Sequence, residues 1–180
     1  YEKFKERGNQ VFIDGGSLNL DSSLYFLKWC EGNCDRIYAF EPDERNCELC
    51  KKQMEINKDL QKYVEFIPKG LWSKETTLIF NNVDISGASY ISETDCPNVE
   101  LHQFEINNSI NIECTSVDDI VQGKKVTFIK MDIEGSELEA LKGCKETIQK
   151  YHPILAISIY HNPEDIVTLP SYIKEIAPDY

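Results

Sequence analysis

Three short apolar runs each end in a carboxylate: Val11-Phe12-Ile13-Asp14, Ile37-Tyr38-Ala39-Phe40-Glu41 and Val126-Thr127-Phe128-Ile129-Lys130-Met131-Asp132. Each run reads as a strand and is followed at once by helix-start chemistry. Strands alternating with helical patterns argue for a largely parallel sheet with crossover helices, the α/β class. In an open sheet of that kind ligands bind at the carboxyl ends of the strands. Acids gathered there suit amines and ribose hydroxyls, and this expectation governs most of the reading.

The elements follow in order. The first strand is Val11 to Gly15, and a helix from about Asp21 to Glu31 places Leu24, Leu27 and Trp29 at apolar positions, with Gly32 past its end. Ile37 to Glu41 is the second strand. Pro42 breaks it, and Asp43 caps a helix reaching about Asn57. Val64 to Ile67 is the third strand, closing at Gly70-Leu71-Trp72. Residues 73–121 form a β-rich variable segment with Thr76 to Phe80, Ser89 to Ile91 and Ile110 to Thr115 as strands and Val117 to Val121 as a helix. This segment is expected on the ligand side, where an acceptor would lie.

After the Val126 to Asp132 strand, Ser136 and Glu139 have capping-box spacing, so a helix should start at Ser136 with Leu138, Leu141 and Ile148 buried. Pro153 opens the run Ile154 to Tyr160. Asn162-Pro163-Glu164-Asp165 then supplies an N-cap, a first-turn proline and acids for a helix to about Ile176. No repeat or linker divides the chain, so residues 1–180 are expected to form a single domain.

Charge and cysteine usage narrow the partners. A formal net charge of -12, with no Lys/Arg run longer than Lys51-Lys52 or Lys124-Lys125, disfavours nucleic acid. No apolar stretch approaches the roughly 20 residues of a membrane span. Cys47, Cys50 and Met54 have helical spacing and read as one buried helix face rather than as zinc ligands with Cys30 and Cys34. Cys144 sits similarly among apolar residues. Free thiols favour a reducing, cytoplasmic location.

Asp14-Gly15-Gly16-Ser17-Leu18-Asn19 is a strand-to-helix turn in which paired glycines allow a tight bend and close ligand approach. It is not G-x-G-x-x-G, since Leu20 stands where a small residue is expected. Glu41, one βαβ unit downstream, is placed to accept hydrogen bonds from both ribose hydroxyls. Asp14 discriminates between cofactors. It would repel a dinucleotide pyrophosphate and attract an ammonium group, which favours S-adenosylmethionine over NAD.

These segments resemble the FkbM-type, class I S-adenosylmethionine-dependent methyltransferases. The resemblance is carried by Phe12-Ile13-Asp14-Gly15-Gly16, Tyr38-Ala39-Phe40-Glu41-Pro42, Val117-Asp118-Asp119-Ile120, Phe128 to Gly135 and Pro153 to His161. It implies a Rossmann-like three-layer sandwich with a seven-stranded sheet whose last strands form an antiparallel pair; the sequence stops at Tyr180, where that pair should follow. It also implies methyl transfer, usually to a hydroxyl oxygen, with a sugar or small metabolite as the expected acceptor. The cofactor residues implied are Asp14, Gly15, Gly16, Ser17, Asn19, Glu41, Pro42 and Asp132.

For catalysis the candidates are Asp132, Glu134 and His161. His161 is a base by chemistry, since imidazole titrates near neutrality. Asp132 is a base, an acceptor anchor or, with Glu134, a magnesium ligand. The two carboxylates share a face only if the strand persists through them. No metal ligand is assigned. His102 and His152 read as surface or packing residues, and Lys130 as neutralising a neighbouring acid or covering apolar surface. The alternatives are a non-catalytic scaffold of the same fold, with Leu20 blocking the turn, and an NAD or nucleotide-sugar enzyme, which Asp14 opposes.

Overall fold

The computed structural model describes residues 9–81, 90–93 and 109–180. Strand β1 (Gln10–Gly15) leads through helix α1 (Asp21–Cys30) to β2 (Cys34–Phe40), and helices α2 (Glu44–Ile56) and α3 (Lys58–Tyr63) lead to β3 (Val64–Ile67). Strands β4 (Gly70–Leu71), β5 (Thr76–Asn81), β6 (Tyr90–Glu93) and β7 (Ser109–Thr115) come next, then α4 (Val117–Val121) and β8 (Phe128–Met131). Helices α5 (Glu137–Lys142) and α6 (Lys145–Tyr151), strand β9 (Ile154–Ile157) and helix α7 (Asp165–Ile176) complete the order.

The main sheet has the order β3-β2-β1-β8-β9, and each of its pairs is parallel. The chain winds outward from β1 to β3, then returns to the other side of β1 as β8. The β1/β8 seam is therefore the topological switch point, where such sheets open a crevice at the strands' carboxyl ends. Period-two alternation divides the core. Val11, Ile13, Tyr38, Phe40, Ile129 and Met131 pack on one face with residues of α4 to α7, while Phe12, Ile37, Ala39 and Val64 pack on the other with Phe26, Cys50 and Leu60 of α1 to α3. The result is the α/β three-layer arrangement the sequence implied.

Among the described residues of 73–121, β5, β6 and β7 are strands. A smaller sheet of order β4-β7-β5-β6 joins β4 to β7 in parallel and the other pairs antiparallel. Trp72, Leu78 and Cys114 form its own small core. His102 and part of the expected Ser89 to Ile91 strand lie outside the described residues. Cys47 and Cys50 are buried with Met54 partly so, and the six described cysteines are free thiols. Among the described residues no helix is long and apolar enough to cross a membrane.

Several local expectations are corrected. Asp43 caps α2 through the Arg45 and Asn46 amides as expected, but the Ser136–Glu139 capping box does not form. Ser136 makes no side-chain cap bond, and Glu139 pairs with Lys142. The single helix expected from Ser136 is interrupted at Gly143, where a Cβ would come 2.2 Å from the Trp72 carbonyl oxygen. The cap at Asn162 runs in reverse: α7 starts at Asp165, whose carboxylate accepts from the Asn162 backbone and side-chain N–H groups. Strand β9 ends at Ile157; Ser158 still donates its backbone N–H to Met131 O, and Ile159 and Tyr160 lie past the strand.

Candidate active site

The turn after β1 is held from three sides. Ser17 Oγ donates to the Asp14 and Phe40 carbonyls at 3.0 and 3.2 Å, and the Gly16 and Ser17 amides donate to Phe40 O. Gly16 has φ +73° and so occupies the left-handed region, where a Cβ would lie 2.0 Å from Asp132 O. Gly15 is crowded by Leu71 and by the Lys130 carbonyl oxygen, with a Cβ distance of 2.8 Å to the former. The paired glycines thus let the β1 turn pack directly on the chain leaving β8.

Leu20 also has a left-handed φ of 66° yet is fully buried, and its side chain joins the Phe12–Phe26–Ile37 core. The residue that departs from the expected small one therefore fills the hydrophobic layer beneath the turn. Leu18, at φ 53°, is the exposed residue of the turn.

Glu41 follows β2 and is buried. One carboxylate oxygen accepts from Leu18 N at 2.8 Å and the other from Asp43 N at 3.0 Å. Each oxygen keeps a lone pair, so the carboxylate joins the β1 turn to the start of α2 and still has capacity for two hydroxyls. Pro42 is half-buried beside it. Asn19 is part-exposed and bonds Asp21 through both its amide groups, which organises the entry to α1.

Asp14 is fully buried. Its Oδ2 accepts from Ser23 Oγ at 2.7 Å, and its Oδ1 lies 3.5 Å from Lys130 Nζ. Burial pushes its carboxyl above the usual range, opposed by the Lys130 charge and the Ser23 hydrogen bond. The ammonium beside Asp14 is thus Lys130, which also donates to the Gly15 and Gly16 carbonyls at 2.9 and 2.7 Å. Of the two readings given to Lys130, neutralising a neighbouring acid is what the geometry supports.

The acidic motif leaves the sheet sooner than the sequence suggested. Strand β8 stops at Met131, and Glu134 and Gly135 follow at φ 56° and 95°. Strand alternation therefore does not govern Asp132 and Glu134. The left-handed reversal turns the chain under itself, and three carboxylates meet one imidazole. His161 Nε2 lies 3.6 Å from Asp132 Oδ1 and 3.5 Å from Glu134 Oε2, and its Nδ1 lies 3.0 Å from Glu137 Oε1. His161 comes from the loop after β9, so the parallel β8–β9 pairing places it.

Exposure separates these groups. The side chains of Asp132 and Glu134 are 40% and 80% exposed, that of His161 only 9%, and that of Glu137 0%. Burial raises the Asp132 carboxyl, but hydrogen bonds from Tyr160 and Ser158 and the charges of Lys130 and His161 outweigh it and leave its pKa below the usual value. Tyr160 donates its phenol to Asp132 at 2.6 Å, and its own pKa is raised by that bond.

Sequence reasoning missed Glu137 and Tyr160. Glu137 was hidden as an ordinary first-turn helix acid; the available signal was three acids within one strand-end motif, Asp132-Ile133-Glu134-Gly135-Ser136-Glu137. Tyr160 was absorbed into an apolar run. The structure brings Asp132, Glu134 and His161 together at the ends of β8 and β9. It groups Asp14, Gly15, Gly16, Ser17 and Glu41 at the ends of β1 and β2.

A parallel sheet with its switch point at β1/β8, a double-glycine turn and acids at three strand ends define an α/β protein of the class whose ligands bind at the strands' carboxyl ends. Residues 10–177 match the family described as Methyltransferase FkbM domain, and the chain belongs to that family. It is similar to the crystal structure of Methyltransferase FkbM from Methylobacillus flagellatus KT, with 27% identity and a TM-score of 0.73 over 96% of this chain. The chain spans 38% of that protein's length. No curated protein matches the sequence significantly.

Proposed function

We propose that the chain is an S-adenosylmethionine-dependent methyltransferase that methylates a hydroxyl oxygen of a sugar or other small metabolite. The observation that carries this reading is the placement of Glu41 and Asp132 on either side of the double-glycine turn at the switch point of a sheet belonging to this family. The donor set fits the cofactor chemically. It consists of carboxylates and carbonyl oxygens, which suit a cationic ligand bearing ribose hydroxyls, and Glu41 retains a free lone pair on each oxygen.

Gly15, Gly16, Ser17 and Asn19 would form the turn under the methionine end, and Glu41, followed by Pro42, would hold the ribose. Asp14 acts from beneath, setting the turn through Ser23 and Lys130. Bound there, S-adenosylmethionine supplies an electrophilic methyl group on a sulfonium. Asp132, part-exposed at the end of β8, aligns the acceptor hydroxyl by accepting its hydrogen bond. Its depressed pKa makes it a better anchor than base. His161 Nε2, adjacent to the same carboxylate oxygen, is the group suited to take the proton, with Glu134 at the open rim.

The acceptor is a small molecule or saccharide; the charge balance argues against nucleic acid. Six free described thiols suit a cytoplasmic setting. Thermal denaturation with S-adenosylmethionine, S-adenosylhomocysteine and NAD tests the reading, because a ligand that binds only the native state raises the melting point. The sulfur ligands should raise it and NAD should not. Glu41→Ala should abolish the rise. Absence of a shift with both sulfur ligands would refute the proposal.

A further inference from the structure

Glu137 and Asp14 are both fully buried carboxylates, but they are treated differently. Asp14 has the Lys130 ammonium. Among the described residues no Lys or Arg reaches Glu137. Its Oε1 accepts from Ile133 N at 3.0 Å, while its Oε2 has no partner. A buried carboxylate left without a cation is costly.

His161 is the group facing it, and the contact is not a hydrogen bond. Nδ1 is 3.0 Å from Glu137 Oε1, yet neither ring nitrogen makes an aligned hydrogen bond, with carboxylate oxygens at 3.0, 3.5 and 3.6 Å around the ring. Nδ1 and Glu137 Oε1 sit at hydrogen-bond distance without pointing at one another, which leaves both able to point at a common third position, while Nε2 faces Asp132 and Glu134 from the other edge of the ring. Two ligand atoms set at a right angle around an ion at ~2.1 Å lie ~3.0 Å apart, which is the spacing of Nδ1 and Oε1. One atom each from Asp132, Glu137 and His161 can be chosen so that all lie within 4.8 Å of one another.

We propose that Asp132, Glu137 and His161 bind a divalent first-row transition-metal ion. One imidazole with two carboxylates suits manganese, iron or zinc better than calcium. The outer contacts that orient ligands are in place, since Ile133 N–H bonds Glu137 and the Tyr160 phenol bonds Asp132. Three carboxylates (Asp132, Glu134 and Glu137) surround the imidazole, so a dication relieves most of the local negative charge. The half-exposed Asp132 side leaves a position open to a ligand from solvent. If the proposed function holds, that ligand is the acceptor hydroxyl. The ion would lower its pKa; with His161 held as a ligand, the proton-accepting role of His161 would pass to Glu134 at the open rim.

The test titrates MnCl2, and separately ZnCl2, into the whole chain after dialysis against EDTA. Free Mn2+ is followed by its electron paramagnetic resonance signal, and stability by thermal denaturation. One Mn2+ should bind per chain and raise the melting point. Glu137→Gln, which keeps size and shape, should weaken Mn2+ binding by at least ~10-fold, a loss typical even of outer-shell changes, with S-adenosylhomocysteine binding retained. Should Glu137→Gln fold poorly, Asp132→Asn, at a half-exposed position, carries the same prediction for Mn2+. Failure of both ions to bind, or Mn2+ binding that survives both substitutions, would overturn the site. Titration of S-adenosylhomocysteine into the metal-free protein separates the two readings, because its failure counts against methyl transfer and leaves the metal result standing.

Discussion

Gly16 offers the sharpest test of how the turn is built, because Gly32 supplies an internal control. Both have positive φ, +73° and +90°. A Cβ on Gly32 meets nothing within 4 Å, whereas a Cβ on Gly16 would lie 2.0 Å from Asp132 O. Ordinary C···O contacts begin near ~3.3 Å, so more than an ångström of overlap with backbone must be relieved. Gly32→Ala carries only the left-handed penalty of about 1–2 kcal/mol. Gly16→Ala adds overpacking of about 1–3 kcal/mol, for a total of about 2–5 kcal/mol. For a domain of this size that corresponds to a fall in melting temperature of about 4–20 °C, read by calorimetry or circular dichroism. Gly16→Ala should also abolish the thermal shift with S-adenosylhomocysteine, which Gly32→Ala should leave intact. Equal costs at the two positions would refute the claim that close packing of the β1 turn on the β8 exit, rather than backbone conformation alone, requires glycine.

Leu20→Gly should relieve a left-handed φ yet lose a fully buried side chain. Loss of about 2–5 kcal/mol from the core outweighs about 1–2 kcal/mol of relief, so urea denaturation should show net destabilisation. Asp14→Asn should gain stability over the parent as pH rises. The native carboxyl has a pKa raised above 3.8, so its unfolded form ionises first, and the parent loses stability from there up through the native pKa. Denaturation of both proteins across that window checks the sign; a parallel pair of curves would contradict it. Tyr160→Phe should return the Asp132 pKa toward 3.8, visible by NMR titration, with stability changed by no more than about 0.5 kcal/mol at so exposed a residue.

The sheet was legible because its signal is local. Each buried parallel strand is a short apolar run, and each acid that ends one lies where the polypeptide leaves the core. Asp43 was legible for the same reason, since a cap acts within three residues. What escaped was set by packing across distant segments. Nothing near Gly143 announces that the Trp72 carbonyl will pass beside it and divide a helix. The direction of the Asn162–Asp165 bond depends on which residue the helix can start from, and both have capping chemistry. Glu137 became visible only when Glu134 and Gly135 turned left-handed and carried its carboxylate back toward the loop after β9. That the Leu20 side chain packs into a core built by Phe26 and Ile37 was likewise set by contacts with distant segments.

Lys130 gives the two ends of the crevice a thermodynamic relation. Its ammonium joins the carbonyls of the glycine turn to the strand that delivers Asp132, and Asp132 N donates in turn to Gly15 O. Neither end can shift without altering bonds that the other depends on. Occupancy at the turn should therefore change affinity at the acidic cluster, and by linkage the reverse change must be of equal size. Titrating one ligand at fixed concentrations of the other would measure that factor directly, and Lys130→Met should bring it toward unity.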